Sequence, residues 1–95
     1  MKLALRPFAN DGILAGAILG QKVFANLIQQ TQAPNAPEVC FLDFAGVSFA
    51  TVSFMRESVI AYRNHARAHW PNLYPVVANI VPMIEEEFRL PAHAQ

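Results

Sequence analysis

The feature that most constrains the fold is an apolar run at residues 39–44, interrupted only by Asp43 near its end. A run of this length that is apolar on both faces is typical of a central strand covered on each side. The hydroxyl-bearing residues Ser48, Thr51 and Ser53 follow it, and apolar residues at helical spacing then predict a helix over 52–69. The order predicts a buried strand that leads through a short loop to a helix N-terminus, where backbone N–H groups favour anions.

The rest of the chain repeats this alternation of strand and helix. Residues 1–8 alternate in part and predict a first strand, and residues 74–80 predict a third. Asn10 or Asp11 is the expected N-cap of a first helix that starts near Ile13 and fades by Thr31. A last short helix is expected from Pro82, with Glu85, Glu86 and Glu87 near its positive end, followed by a loose tail at 91–95.

The alternation predicts a small α/β domain of βαβαβα order, with a mostly parallel sheet flanked by helices. We expect one domain over residues 1–95. Partners of such sheets meet the carboxyl ends of the strands. Polar residues of three separate segments converge there and, with Arg56 of the second helix, form the predicted partner-binding set: Asn10, Asp11, Ser48, Thr51, Ser53, Arg56 and Asn79.

Composition limits the classes of function. Seven basic and seven acidic residues balance, which argues against an electrostatic grip on nucleic acid. No apolar stretch reaches the length of a membrane span. Cys40 is the single cysteine, so no internal disulfide forms, and we expect a buried thiol in a reducing cytoplasm. His65 and His69 stand four residues apart, but no further ligand stands at a helpful offset, and no metal or other cofactor is expected.

Three glycines, Gly12, Gly16 and Gly20, fall four residues apart in the predicted first helix. They predict either close packing of that helix on the sheet or a flat surface for a second protein, and we favour packing.

Individual candidate residues have a structural and a functional interpretation. Ser53 is expected to cap its helix, and Ser53 or Thr51 could alternatively accept a phosphoryl group. Asp43 is interpreted as an anchor of the following loop, since a carboxylate within an apolar run needs hydrogen-bond partners. Arg56 either binds an acidic partner or is simply solvated. No nucleophile–histidine–acid arrangement is recognisable, so we expect no enzyme.

The segment around the central strand resembles STAS domains, the small α/β modules best known as bacterial anti-sigma-factor antagonists. In that family a Leu-Asp-apolar strand and a Gly-Val pair precede an Asp-Ser-Ser-Gly loop that opens a helix. Residues 42–44 (Leu-Asp-Phe), the pair Gly46-Val47 and Phe49 match the approach to the loop. In the loop itself Thr51 stands at the Asp position, Val52 at the phosphorylated serine, Ser53 at the next serine and Phe54 at the glycine. The antagonists' phospho-switch is therefore not carried over intact.

A closer likeness is to the STAS-like family of unknown function. Its pattern Leu-Asp-Phe-x-Gly-Val, followed by Ser-Phe-x-x-Glu, is similar to residues 42–47 and 53–57, and Asn79 matches a later asparagine. The likeness covers residues 38–88. It implies contact with a regulatory protein, in that family often a histidine-kinase-like ATPase.

The leading hypothesis is therefore a non-enzymatic regulatory protein-binding module. The alternative is a homo-oligomeric assembly domain, joined through the glycine-lined helix or through apolar surface near Trp70 and Tyr74. A small-molecule site at the same edge ranks third.

Overall fold

The predicted central strand lies in the middle of a three-stranded parallel sheet. The computed structural model describes residues 1–81, and in it β3 (Glu38–Asp43) pairs with β1 (Lys2–Ala4) on one side and with β5 (Leu73–Ala78) on the other. The register aligns Ala4, Asp43 and Ala78 at the carboxyl edge. The predicted α/β class with a mostly parallel sheet is confirmed. The last helix expected from Pro82, with Glu85–Glu87, and the tail at 91–95 lie outside the described residues.

Two helical segments cover one face of this sheet. The first is α1 (Ala17–Gln30). The second runs without a break through α2 (Val52–Met55), a π-helical turn (Arg56–Ile60) and α3 (Ala61–His69), so the helix predicted over 52–69 is confirmed. The two segments pack on each other and on the buried side chains of the sheet. The largest fully buried side chains of this core are Tyr62, Phe44, Phe54, Leu5, Leu14, Leu27 and Leu42.

The first helix starts later than the sequence predicts. The expected N-caps Asn10 and Asp11 belong instead to a turn before a two-residue strand, β2 (Ile13–Leu14), and Gly16 is the N-cap of α1. β2 pairs in parallel with β4 (Phe49–Ala50) as a separate small sheet. The apolar pattern that begins at Ile13 therefore spans a strand and a helix.

Of the three glycines, only Gly20 lies within α1. It is buried where α1 crosses the second helical segment, and a Cβ atom there would stand 2.8 Å from Glu57 Cβ and 2.9 Å from the carbonyl oxygen of Phe54. The packing interpretation holds, but the neighbour is a helix, not the sheet. This glycine offers no free surface to a second protein.

The sheet is covered on one face only by the described residues, contrary to the prediction for β3. Side chains that alternate along β3 and β5 point away from the helices and are about half exposed: Val39, Phe41, Tyr74 and Val76. An apolar run shows that both faces of a strand are apolar. It does not show that other residues cover both faces. Within residues 1–81, every helix is too short or too polar to span a lipid bilayer.

Candidate functional site

Thr51 joins the beginnings of both helical segments. It is the N-cap of α2, and its hydroxyl oxygen accepts a hydrogen bond from the Phe54 N–H at 3.2 Å. The same oxygen accepts from the Gly16 N–H, the N-cap of α1, at 2.9 Å. One side chain therefore satisfies a backbone donor at each of two helix N-termini, which otherwise lack intrahelical partners.

The cap predicted at Ser53 is wrong, since Thr51 occupies that position and Ser53 lies in the first turn of α2. The two hydroxyl oxygens are 3.2 Å apart, and both residues are half-buried. Because the Thr51 oxygen already accepts two N–H groups, a phosphoryl group on it would break both bonds. Of the two predicted phosphoacceptors, Ser53 is the one whose hydroxyl is free of backbone bonds in the described part of the chain.

Ser48 holds the turn before β2 against the loop after β3. Its backbone N–H donates to the Gly12 carbonyl at 2.8 Å, and its hydroxyl donates to the same oxygen at 3.2 Å. Gly12 has φ +78, and a Cβ atom would stand 3.0 Å from the Ser48 hydroxyl oxygen. Gly12 therefore allows both the left-handed turn and the close approach.

Asp43 fastens the carboxyl end of β3 to that of β5. The side chain is 10 % exposed, and its Oδ1 accepts from the Asn79 amide at 2.7 Å and from the Ala45 N–H at 3.0 Å. Lys2 Nζ lies 3.6 Å from Oδ2. The Asn79 amide, the Ala45 N–H and the Lys2 ammonium together hold the pKa of Asp43 below its ordinary value, although its partial burial opposes them. These contacts are the ones that an anchor of the loop needs.

A cleft of about 700 Å³ opens at this edge, between the end of β1 and the loop that follows β3. Arg6, Asp11 and Gly12 line it, together with Ala4 and Ala45. The cleft therefore presents one cation and one carboxylate beside small apolar side chains. We use the name carboxyl edge for this surface: the carboxyl ends of β1, β3 and β5, the polar residues described above and the cleft.

Two residues at the carboxyl edge have left-handed backbone geometry without being glycine. Asp11 (φ 51) and Asn79 (φ 57) are the non-glycine residues with positive φ in the part of the chain that the structure describes. Aspartate and asparagine adopt this geometry more readily than other residues with a side chain, and positive φ at both Asp11 and Gly12 is typical of an Asp-Gly turn.

The predicted partner-binding residues fall into three bonded groups and one outlier. Thr51 pairs with Ser53, Ser48 with the turn that holds Asn10 and Asp11, and Asn79 with Asp43. Arg56 stands apart. It is exposed at the start of the π-helical turn, and no hydrogen bond or ion pair joins its side chain to another residue of 1–81.

The sequence interpretation missed Arg6 and Pro7, which line the cleft. Residues 6–8 form a short 3-10 turn instead of the end of the first strand, with Pro7 at its start. A proline is favoured in the first turn of a helix, and this was the available signal.

Within the described part of the chain, the carboxyl edge holds neither the single cysteine nor a cluster of potential metal ligands. Cys40 is fully buried in β3, away from the edge, and burial raises the pKa of its thiol. Among residues 1–81, no group of three His, Cys, Asp or Glu side chains is placed to hold a metal ion. The carboxyl edge presents hydrogen-bonding groups beside a cleft, and the contacts described above hold these groups in place.

No protein-family model, curated protein or solved structure matches this chain. The resemblance to STAS-like domains therefore stays a prediction that depends on the residues quoted above.

Proposed function

We propose that this domain is a non-enzymatic module that binds a regulatory protein at its carboxyl edge. The observation that carries the proposal is that three separate chain segments (residues 4–12, residues 43–48 and Asn79) meet at that edge, beside the cleft lined by Arg6 and Asp11.

The partner class follows from the resemblance. STAS-like domains imply a regulatory protein, often an ATPase of the histidine-kinase type, and this remains part of the proposal. Ser53 is the preferred phosphoacceptor in it, since phosphate there would lie in the first turn of a helix, where the dipole favours negative charge.

Site-specific photo-cross-linking tests the surface. A photoreactive benzoylphenylalanine at Ser48, which is exposed at the carboxyl edge, should give one dominant adduct in the native cell. Gln29 is the matched control, because it is exposed near the far end of α1, at the opposite edge of the sheet.

The purified partner should then bind an Asp11→Lys variant about tenfold more weakly than the wild type, a loss of about 1.4 kcal/mol. Identical adducts from both positions, or unchanged affinity of the variant, would refute the proposal.

Phosphorylation is tested separately by the intact mass of protein isolated from its native cell at several growth stages. The phospho-switch requires a species heavier by about 80 Da that disappears in Ser53→Ala, since one phosphoryl group adds that mass. Its absence at every stage removes the switch and leaves the binding proposal in place.

A homo-oligomeric domain is the second candidate, and the half-exposed Val39, Phe41, Tyr74 and Val76 of the open sheet face favour it. Gly20 is buried against the second helical segment, so it gives no support to the version joined through the glycines of the first helix. Sedimentation velocity over a hundredfold range of concentration distinguishes the candidates. Self-association predicts a dimer that Phe41→Lys converts to monomer, whereas a monomer throughout excludes it.

A further inference from the structure

A second surface lies away from the carboxyl edge, between α3 and β5. It is a groove of about 580 Å³, lined chiefly by Arg63, Arg67, Trp70, Tyr74 and Val76, and we call it the β5 groove. Arg63 and Arg67 are exposed and one helical turn apart, and Tyr74 is 53 % exposed.

The positive charge of the β5 groove is not balanced by the described residues. The carboxylates among residues 1–81 all lie elsewhere. Asp11 lines the cleft, Glu38 pairs with the N-terminal amine, Asp43 lies beside Lys2, and Glu57 accepts from Gln21. No carboxylate of this part of the chain lies within 4.0 Å of either arginine. Two adjacent guanidinium groups are suited to carboxylates, which they can bind bidentately.

The groove also borders a free strand edge. β5 is the last strand of the described sheet, and the carbonyls of Asn72 and Ala78 accept from the N–H groups of Glu38, in β3, and Phe44, just after it. Because backbone groups alternate in direction along a strand, the carbonyls of Leu73, Pro75 and Val77 point outward. Pro75 has no N–H and the Leu73 N–H donates to the Trp70 carbonyl, so pairing with an added strand is limited chiefly to the bonds that its N–H groups donate to these carbonyls.

We propose that the β5 groove docks an acidic, extended peptide segment of another protein. The segment lies along β5, its backbone N–H groups donate to the outward carbonyls, and its carboxylates pair with Arg63 and Arg67. Trp70 and Tyr74 provide apolar contacts to the segment, between its backbone hydrogen bonds to β5 and its ion pairs with the arginines. An extended peptide fits better than a nucleic acid, since a nucleic acid lacks a row of backbone N–H donors.

Trp70 is the single tryptophan of the chain, so its emission reports directly on the β5 groove. The probe is an end-blocked eight-residue peptide of alternating Glu and Val, titrated at low salt into the protein that comprises residues 1–95. We expect a saturable change in emission, and an Arg67→Glu variant should bind at least about tenfold more weakly. Lys22→Glu is the matched control, because it makes the same charge change at an exposed cation on α1, and its affinity should stay within about twofold.

Circular dichroism and thermal unfolding of both variants establish that they are folded. The same peptide with Lys in place of Glu should not bind. No saturable response up to millimolar peptide, equal binding of the Lys peptide, or tighter binding of single-stranded oligothymidylate would overturn the proposal.

The chain's own Glu85, Glu86 and Glu87 are the competing occupant. If they fill the groove, the triple Gln variant should bind the peptide at least about tenfold more tightly than the wild type, since a bound competitor lowers apparent affinity. That result would assign the groove to this chain and overturn the external partner. Equal affinity of wild type and triple variant supports the proposal.

Discussion

Thr51 is the residue on which both helix N-termini depend. Thr51→Val keeps the shape of the side chain but removes the oxygen that accepts from Gly16 and Phe54. Because two partly buried N–H groups lose their acceptor, the free energy of unfolding should fall by about 1–3 kcal/mol. Urea denaturation measures the change.

Two further variants at this cap serve as controls. Thr51→Ser retains the hydroxyl and should recover most of the loss, and Ser53→Ala should change the free energy of unfolding by less than about 0.5 kcal/mol. A Val variant as stable as the Ser variant would show that the shared cap contributes nothing.

Asp43 makes stability depend on pH in the acid range. Its pKa in the folded protein lies below the ordinary value of 3.8 because of Asn79, Ala45 and Lys2, so the unfolded chain binds the proton more readily. The stabilisation is complete above that ordinary value and is lost as the pH falls below it. Asp43→Asn should therefore flatten the dependence of the unfolding free energy on pH below about 4.

The partner variant Asn79→Ala removes the largest cause of the lowered pKa and should flatten the same dependence in part. Denaturation curves measured from pH 2 to 6 test both variants. If the unfolding free energy of Asp43→Asn depends on pH as strongly as that of the wild type, Asp43 is not the cause of the dependence.

At the scale of elements, the crossing of the two helical segments at Gly20 sets how closely they pack. A Cβ atom at this position meets Glu57 Cβ and the Phe54 carbonyl oxygen at less than 3.0 Å, so Gly20→Ala forces the helices apart. The propensity gain of alanine, about 1 kcal/mol, is outweighed by overpacking of about 1–3 kcal/mol, and the variant should unfold at lower temperature. Gln29→Ala, exposed on the same helix, should leave the midpoint nearly unchanged. A Gly20→Ala protein more stable than the wild type would refute the close crossing.

For the whole molecule, the single thiol reports on global opening. Cys40 is fully buried in the central strand, and burial raises its pKa, so the reactive thiolate is suppressed in the folded state. We expect labelling by a thiol reagent at neutral pH to proceed only through unfolding, and Thr51→Val to accelerate it in proportion to its loss of stability. Native protein that reacts at the rate of a free thiol would contradict the buried position.

The same shift gives an alkaline limit to stability. Because the unfolded chain ionises first, stability should decline as the pH rises past the ordinary thiol value of 9.0. Cys40→Ala should remove the part of that decline that begins near pH 9.0, and the part above pH 10.0 should remain because burial also raises the pKa of Tyr62.

The sequence predicts those parts of the fold that local pattern determines. The helix over 52–69 and the central place of β3 follow from periodicity and from a continuous apolar run. The strands β2 and β4 are too short to leave a pattern of their own, and they exist because they pair with each other. The choice of Thr51 over Ser53 as the cap depends on Gly16, which is 35 residues away in the sequence. Non-local partners of this kind are invisible to a local pattern.

The sequence predicts which residues lie at the carboxyl edge better than it predicts their geometry. Parallel strands bring their carboxyl ends together, which places Ser48 and Asn79 at one edge. The cleft beside them requires the chain to turn at Pro7, and the pattern of residues 1–8 alone does not specify that turn.

The π-helical turn at Arg56–Ile60 has a consequence for how such chains can diverge. It holds about one residue more than an α-helical turn, so side chains beyond it are rotated by roughly 100° relative to those before it. Arg56 is thereby out of line with Arg63 and Arg67, although their spacing suggests one stripe. Tightening the turn to α-helical geometry at constant length would bring the three arginines into a single row and swing Tyr62 out of the core, whereas a one-codon deletion would remove the extra residue and leave both facings unchanged.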